Sequence, residues 1–165
     1  MQNQFYYLNK NMTVLIALHT RDKIILGAYT ESLTRAIRTI NDITYSSYGS
    51  ESEAVHFESF CQTNKPEHSD QIGIQRFFNN FYKWLDEGHT VLRTKTNYFI
   101  VFEERLFHYC DGATVEILAG DFRIDGAGLT FSWLTVNSLK SVQEAHLHAP
   151  GAHEMVELTK SQAYN

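Results

Sequence analysis

A chain of 165 residues and 19.0 kDa is long enough for one domain with a buried core. Its hydrophobic content of 43% and charged content of 20% are ordinary globular values, which excludes a disordered or fibrous chain. The net charge of -5 disfavours nucleic-acid binding, which needs a basic surface. Because no apolar run reaches the roughly 18–20 residues of a membrane helix, and no signal-like segment opens the chain, we predict no membrane partner and a cytoplasmic location.

Two continuous apolar runs follow a polar and aromatic leader over residues 1–12. Residues 13–19 (TVLIALH) and 23–29 (KIILGAY) show no polar alternation, which is typical of strands buried on both faces. A short polar turn separates the two runs, so they predict an antiparallel hairpin. Residues 35–40 and 43–48 are predicted as a third and a fourth strand.

Two amphipathic helices are predicted next. Ser50 followed by Glu53 is a capping-box pattern and begins a helix over residues 50–62. Its predicted buried face consists of Ala54, Phe57, Phe60 and Cys61. A second helix is predicted over residues 69–87, ending at Gly88. Its apolar stripe consists of Ile74, Phe77, Phe78, Phe81, Trp84 and Leu85.

The second half of the chain returns to strands. Strands are predicted over residues 98–102, 105–109 and 114–118, and from residue 122 into a turn at 126–128. Helices are predicted over residues 129–139 and 140–148, and a closing strand over 154–159. This order is an α+β pattern in which helices cover both faces of paired sheets.

Neither the cysteines nor the histidines form a chemical motif. Cys61 and Cys110 have no CxxC spacing and are predicted to be free thiols. The densest group of potential metal ligands consists of His146, His148, His153 and Glu154. Residues two apart on a helix point in different directions, so no metal site is predicted. The glycine pair at 126–128 lacks a nucleotide-binding pattern, and no cofactor is predicted.

Four short motifs carry a family resemblance. They are MTVLIAL at 12–18, KIILGA at 23–28, NDITYSSYGSESEA at 41–54 and IDGAG at 124–128. In this order they resemble the proteasome β-subunit and HslV peptidase family of N-terminal-nucleophile hydrolases. The resemblance covers residues 13–159 and implies a four-layer αββα sandwich of the proteasome/HslV type. The implied organisation is a leader or arm over 1–12, a single domain over 13–160 and a tail over 161–165.

The resemblance also implies a catalytic residue. In this family the amino-terminal threonine is the nucleophile, and its own α-amino group is the base. A lysine lowers the pKa of that amine, and a carboxylate orients the lysine. The resemblance places Thr13 in the nucleophile's position, and the mechanism requires that residues 1–12 be removed, because an amide nitrogen cannot act as the base.

The surroundings implied for Thr13 depart from the family pattern. Tyr29 stands in the position of the carboxylate. Ala36 stands in the position of the lysine, with Arg35 and Arg38 beside it, and arginine lacks the compact ammonium geometry. Alanine also replaces the serine of the family's glycine turn. These departures predict that peptidase activity has been lost.

The function that follows is a proteasome/HslV-like structural or assembly component. The resemblance implies a homo-oligomeric ring of six or seven copies, with other assembly proteins as further partners. Small stand-alone versions of such folds occur in bacteriophage genomes, which extends the prediction to a part of a virion. The alternative is an N-terminal-threonine peptidase activated by removal of residues 1–12. A small-molecule binding module that uses the former active-site cleft is a third reading.

Overall fold

The structure is a computed structural model that describes four segments of the chain. They are residues 13–30, 36–88, 96–126 and 153–159. Backbone contacts divide the chain into two units, one of residues 1–37 with 119–165 and the other of residues 38–118. The single domain over 13–160 stays a prediction. The helices predicted over 129–148 lie outside the described residues.

The first unit contains a four-stranded antiparallel sheet. Its strands are β1 (Thr13–His19), β2 (Lys23–Thr30), β8 (Phe122–Gly126) and β9 (His153–Thr159). They lie in the order β8-β1-β2-β9, and the predicted hairpin of β1 and β2 is confirmed. Successive residues of both strands, such as Val14 with Leu15 and Ile24 with Ile25, are buried. Both faces of the hairpin are therefore shielded from water, as the unbroken apolar runs predict.

The second unit contains a five-stranded sheet. Its strands are β3 (Ile37–Ile40), β4 (Ile43–Tyr48), β5 (Asn97–Phe102), β6 (Arg105–Cys110) and β7 (Ala113–Ile117). They lie side by side in chain order. Three of the connections are two-residue turns with positive φ at both positions: Asn41-Asp42, Glu103-Glu104 and Asp111-Gly112. This backbone is that of the type I′ turn, whose twist matches the twist of the strands it joins.

Two helices connect β4 to β5, and their ends are set by side-chain caps. The first, α1 (Glu51–Thr63), begins where the Ser50 hydroxyl accepts the Glu53 backbone N–H at 3.2 Å. The second, α2 (Gln71–Gly88), begins where the Asp70 carboxylate accepts the Gly73 N–H at 2.6 Å. The predicted start at residue 69 is two residues early, because the Ser69 hydroxyl donates to the Phe102 carbonyl instead. Neither helix is long and apolar enough to cross a membrane.

An aromatic core holds the two helices on the five-stranded sheet. Its buried members from the helices are Phe57, Phe60, Cys61, Ile74, Phe77, Phe78, Phe81 and Leu85. Its members from the strands are Ile43, Tyr45, Tyr98, Ile100, Phe102, Phe107 and Tyr109. The predicted stripe of α2 is thus confirmed, with Trp84 partly buried against it. The predicted face of α1 is wrong at one position, because Glu53 is buried and Ala54 is only half-buried.

The buried thiol of Cys61 makes the stability of this core decrease at alkaline pH. Both cysteines are free, as predicted, and burial raises the pKa of the Cys61 thiol to about 12 from an ordinary value of 9.0, with a further increase from the charge of Glu58. The folded chain keeps this proton at pH values where the unfolded chain has lost it. The stabilisation is therefore complete below pH 9.0 and decreases as the pH rises towards 12.

We expect the free energy of unfolding to fall between pH 7.5 and 10 by about 1 kcal/mol more in the wild type than in Cys61→Ala. Urea unfolding at both pH values, under reducing conditions, measures the difference. The buried tyrosines titrate in both proteins, so comparison with the variant isolates the thiol. Equal losses in the two proteins would contradict a thiol that stays protonated in the fold.

Candidate functional site at one end of the first sheet

Thr13 is the first residue of β1, at one end of the four-stranded sheet. Its Cα lies opposite that of Thr30, the last residue of β2. The next residue, Val14, lies between Tyr29 on β2 and Gly126 on β8. The sheet end that carries Thr13 is therefore formed by the start of one strand and the last residues of its two neighbours.

Two of the motifs that carry the family resemblance meet at this sheet end. Tyr29, which occupies the carboxylate position, lies opposite both Val14 and His153, the first residue of β9. Gly126, the last residue of β8 and the first glycine of the IDGAG motif, has a φ of 135°, a conformation that favours glycine. Its N–H donates to the Asp125 carboxylate at 2.8 Å. The backbone thus brings the expected nucleophile, the carboxylate position and Gly126 to one place.

A lysine at this sheet end is missing from the part of the first unit that the structure describes. The described lysine of the first unit is Lys23. It lies at the other end of β2, opposite Thr159 of β9. It is separated from Thr30 by about 23 Å along the strand. Ala36, which occupies the lysine position of the family, comes directly before β3. Arg35, which is beside Ala36 in the sequence, lies outside the described residues.

Arg38, the other cation considered for the lysine's role, has a partner in the second unit. Its guanidinium forms an ion pair with the Glu58 carboxylate of α1, and both side chains are about one-third exposed. Glu58 lies 20 residues further along the chain, so the sequence gives no local sign of this pair. The pair joins β3 to α1, which is a structural role for Arg38.

The strand, glycine turn and helix start of the third motif form as the resemblance implies. β4 ends at Tyr48, Gly49 has a φ of 139°, and Ser50 caps α1. The capping box itself is incomplete. The Ser50 N–H donates to the Thr96 hydroxyl at 3.2 Å, while the Glu53 carboxylate has other partners. The reciprocal bond of the predicted box is therefore replaced by a contact from 46 residues away.

Glu53 forms the centre of a buried polar group that the sequence analysis missed. Its carboxylate accepts hydrogen bonds from the hydroxyls of Tyr98, at 2.7 Å, and Tyr82, at 3.3 Å. Burial, and then the neighbouring Glu53 carboxylate, raise the pKa values of both tyrosines well above their ordinary range. Both hydroxyls therefore remain protonated donors, and the carboxylate is satisfied inside an aromatic core.

The structure does not test the prediction that the group of three histidines and Glu154 forms no metal site. His146 and His148 lie outside the described residues. His153 and Glu154 are described through their backbone, as the first two residues of β9.

Comparison with known proteins identifies the fold. No protein-family model and no curated protein sequence match the chain. Among solved structures, BPH of Thiobacillus denitrificans in complex with epoxomicin has a TM-score of 0.65 at 11% identity over 90% of this chain and 99% of its own. Anbu (ancestral beta-subunit) of Yersinia bercovieri has a TM-score of 0.63 at 11% identity, over 88% and 81%. HslV of Trypanosoma brucei has a TM-score of 0.57 at 12% identity, over 88% and 99%.

These similarities cover nearly the whole chain and all concern proteins of one class. The chain has the proteasome/HslV-like fold of N-terminal-nucleophile hydrolases, with the α+β architecture that the sequence predicts. At 11–12% identity these similarities establish the fold alone.

Proposed function

We propose that this chain is a proteasome/HslV-like protein that has lost peptidase activity and acts as a ring-forming structural or assembly component. The observation that supports the loss is that the described residues of the first unit include no lysine at the sheet end that carries Thr13. Lys23 lies about 23 Å along β2 from Thr30, and Arg38 is held by Glu58. A threonine nucleophile without a nearby ammonium lacks the charge that lowers the pKa of its amine.

The proposed assembly is a homo-oligomeric ring of six or seven copies, on the analogy of HslV and Anbu, whose fold this chain shares. Small stand-alone versions of such folds in bacteriophage genomes make a virion the first assembly to test. Further assembly proteins are the proposed partners.

We expect light scattering of the purified chain at tens of micromolar to give a mass six or seven times the 19.0 kDa of one chain. A strict monomer that also gains no partner in its native assembly would count decisively against the ring. The elution mass of the Thr13→Ala variant should equal that of the wild type, because the proposed role does not use the threonine as a nucleophile.

The similarity to BPH in complex with epoxomicin favours testing one alternative function. This alternative is an N-terminal-threonine peptidase in which removal of residues 1–12 frees the amine of Thr13. Intact-mass spectrometry distinguishes the two functions. The structural proposal expects the full-length mass before and after incubation with epoxomicin. It also expects Thr13→Ala to be uncleaved and to give the same hydrolysis as the wild type. A chain that begins at Thr13, with peptide hydrolysis abolished by Thr13→Ala, would establish the peptidase instead.

A further inference from the structure

The outer edge of β7 carries backbone N–H and C=O groups that point away from the sheet. β7 is the last strand of the five-stranded sheet and pairs on one side with β6. The Thr114 N–H points away from β6, because it donates to the side-chain oxygen of Gln75 at 2.8 Å. Alternate residues of an antiparallel strand direct both backbone groups to the same side. The Thr114 carbonyl and both backbone groups of Glu116 therefore also face outward.

The Gln75 side chain covers the first part of this edge. Its amide oxygen accepts the Thr114 N–H, and its amide nitrogen donates to the Gly112 carbonyl at 3.1 Å. The same nitrogen donates to the Asn79 side chain at 3.1 Å, which holds the amide in place. A carbonyl and an N–H two residues apart are what a residue of an added parallel strand would bind. The amide thus substitutes for one residue of a neighbouring strand.

The rest of the edge carries features that suit a partner. Val115 is 45% exposed and Leu118, just beyond the strand, is 59% exposed. The Thr114 hydroxyl is buried and has no hydrogen-bond partner within the part of the chain that the structure describes. A buried hydroxyl without a partner is unfavourable, so a contact that satisfies it is favoured.

We propose that β7 is a two-fold pairing surface for a second copy of this chain, and that Gln75 holds it closed. The register is centred on Val115. Thr114 of each copy then lies opposite Glu116 of the other, and the outward backbone groups of these residues form hydrogen bonds across the two-fold axis. The two Val115 side chains become direct neighbours, so that apolar surface now in water is covered.

The same register satisfies the buried hydroxyl. Side chains directly opposite each other in an antiparallel pair have Cβ atoms about 4.5–5.5 Å apart, so the Thr114 hydroxyl reaches the carboxylate of the second copy's Glu116. Arg105 already donates to that carboxylate at 2.7 and 2.5 Å, which neutralises its charge. A carboxylate has about four lone-pair sites, so the third bond can be accepted. This complementarity of β7 with itself is why the occupant we assign is a second copy.

Pairing requires each Thr114 N–H to leave Gln75, so Gln75→Ala should strengthen self-association. We expect the dissociation constant of the pair to fall on the order of tenfold in this variant, because two competing hydrogen bonds of modest net strength are removed. Sedimentation velocity over a concentration series measures this constant. The contact goes beyond the proposed ring. As the concentration rises, it doubles the mass of the species, chain or ring, that is present at the lowest concentration.

Val115→Lys is the matched variant at an exposed position, where substitution leaves the fold intact. It places two ammonium groups beside each other at the two-fold axis, so it should abolish the doubling in the wild type and in Gln75→Ala. Hydrogen exchange identifies the edge, since the Glu116 amide should gain protection with concentration. A mass that does not depend on concentration in both the wild type and Gln75→Ala would overturn the proposal. So would a concentration-dependent doubling of the mass that survives Val115→Lys. If Gln75→Ala does not fold, the wild type and Val115→Lys decide the question.

Discussion

Replacing Phe57 with alanine is expected to lower the free energy of unfolding by about 3–5 kcal/mol. Phe57 is fully buried, and its ring packs against aromatic rings from α2 and from both flanking strands. The centroid distances are 4.9 Å to Tyr45, 6.1 Å to Phe77, 5.4 Å to Phe78, 5.0 Å to Phe81 and 4.6 Å to Tyr98. The surrounding rings also pack against one another, so the cavity cannot collapse fully.

The expected loss is a large part of the roughly 5–15 kcal/mol that stabilises an ordinary domain. Urea unfolding followed by tryptophan fluorescence measures it. Val55→Ala is the matched control, because Val55 is on the same helix and 57% exposed, and it should change the free energy by less than about 0.5 kcal/mol. A loss below about 1 kcal/mol for Phe57→Ala would mean that the aromatic cluster is not the core that we describe.

The sequence predicts the elements of this fold well where one local pattern decides them. The β1 and β2 strands are long apolar runs, and such runs need shielding on both faces wherever they lie. The start of α1 is set by Ser50, and its end comes just before Pro66, which cannot continue a helix. α2 is predicted from the three- and four-residue spacing of its aromatic residues. Each of these signals lies within a few residues of the feature that it predicts.

The positions that the sequence analysis got wrong or missed depend on distant contacts. The sequence places Glu53 in a capping pattern and outside the predicted buried face of α1. It is buried because Tyr98, 45 residues away, donates a hydrogen bond to it. Gln75 gave no signal, since its partners Gly112 and Thr114 belong to a turn and a strand 37 and 39 residues further on. A one-dimensional pattern does not contain such pairings.

The candidate site shows the same division. The resemblance placed Thr13 at the start of the first strand, and the register places that strand start beside Tyr29 and Gly126. The sequence could not decide between a free Arg38 and a paired one, because its partner Glu58 lies on a helix 20 residues away. The catalytic role of Thr13 remains a proposal within the peptidase alternative.

Tyr98→Phe is expected to lower the free energy of unfolding by about 1–3 kcal/mol while changing the shape of the core very little. The substitution removes only the hydroxyl that donates to Glu53 at 2.7 Å, and the Glu53 side chain is 1% exposed, so water cannot replace the lost donor. Tyr82→Phe is the matched control, because it removes the longer bond of 3.3 Å from a residue that is only partly buried. We expect the smaller loss for Tyr82→Phe.

The cause of the loss can be isolated by also replacing the acceptor. Glu53→Met removes the buried carboxylate with a side chain of similar size, and in that background the Tyr98 hydroxyl has lost its partner. If the cost of Tyr98→Phe is the cost of an unsatisfied carboxylate, then Tyr98→Phe in Glu53→Met should cost less than about 0.5 kcal/mol or be stabilising. The double-mutant cycle from four urea unfolding curves measures this coupling. Additive losses would mean that the Tyr98 hydroxyl stabilises the core independently of Glu53, and that the Glu53 carboxylate is satisfied without it.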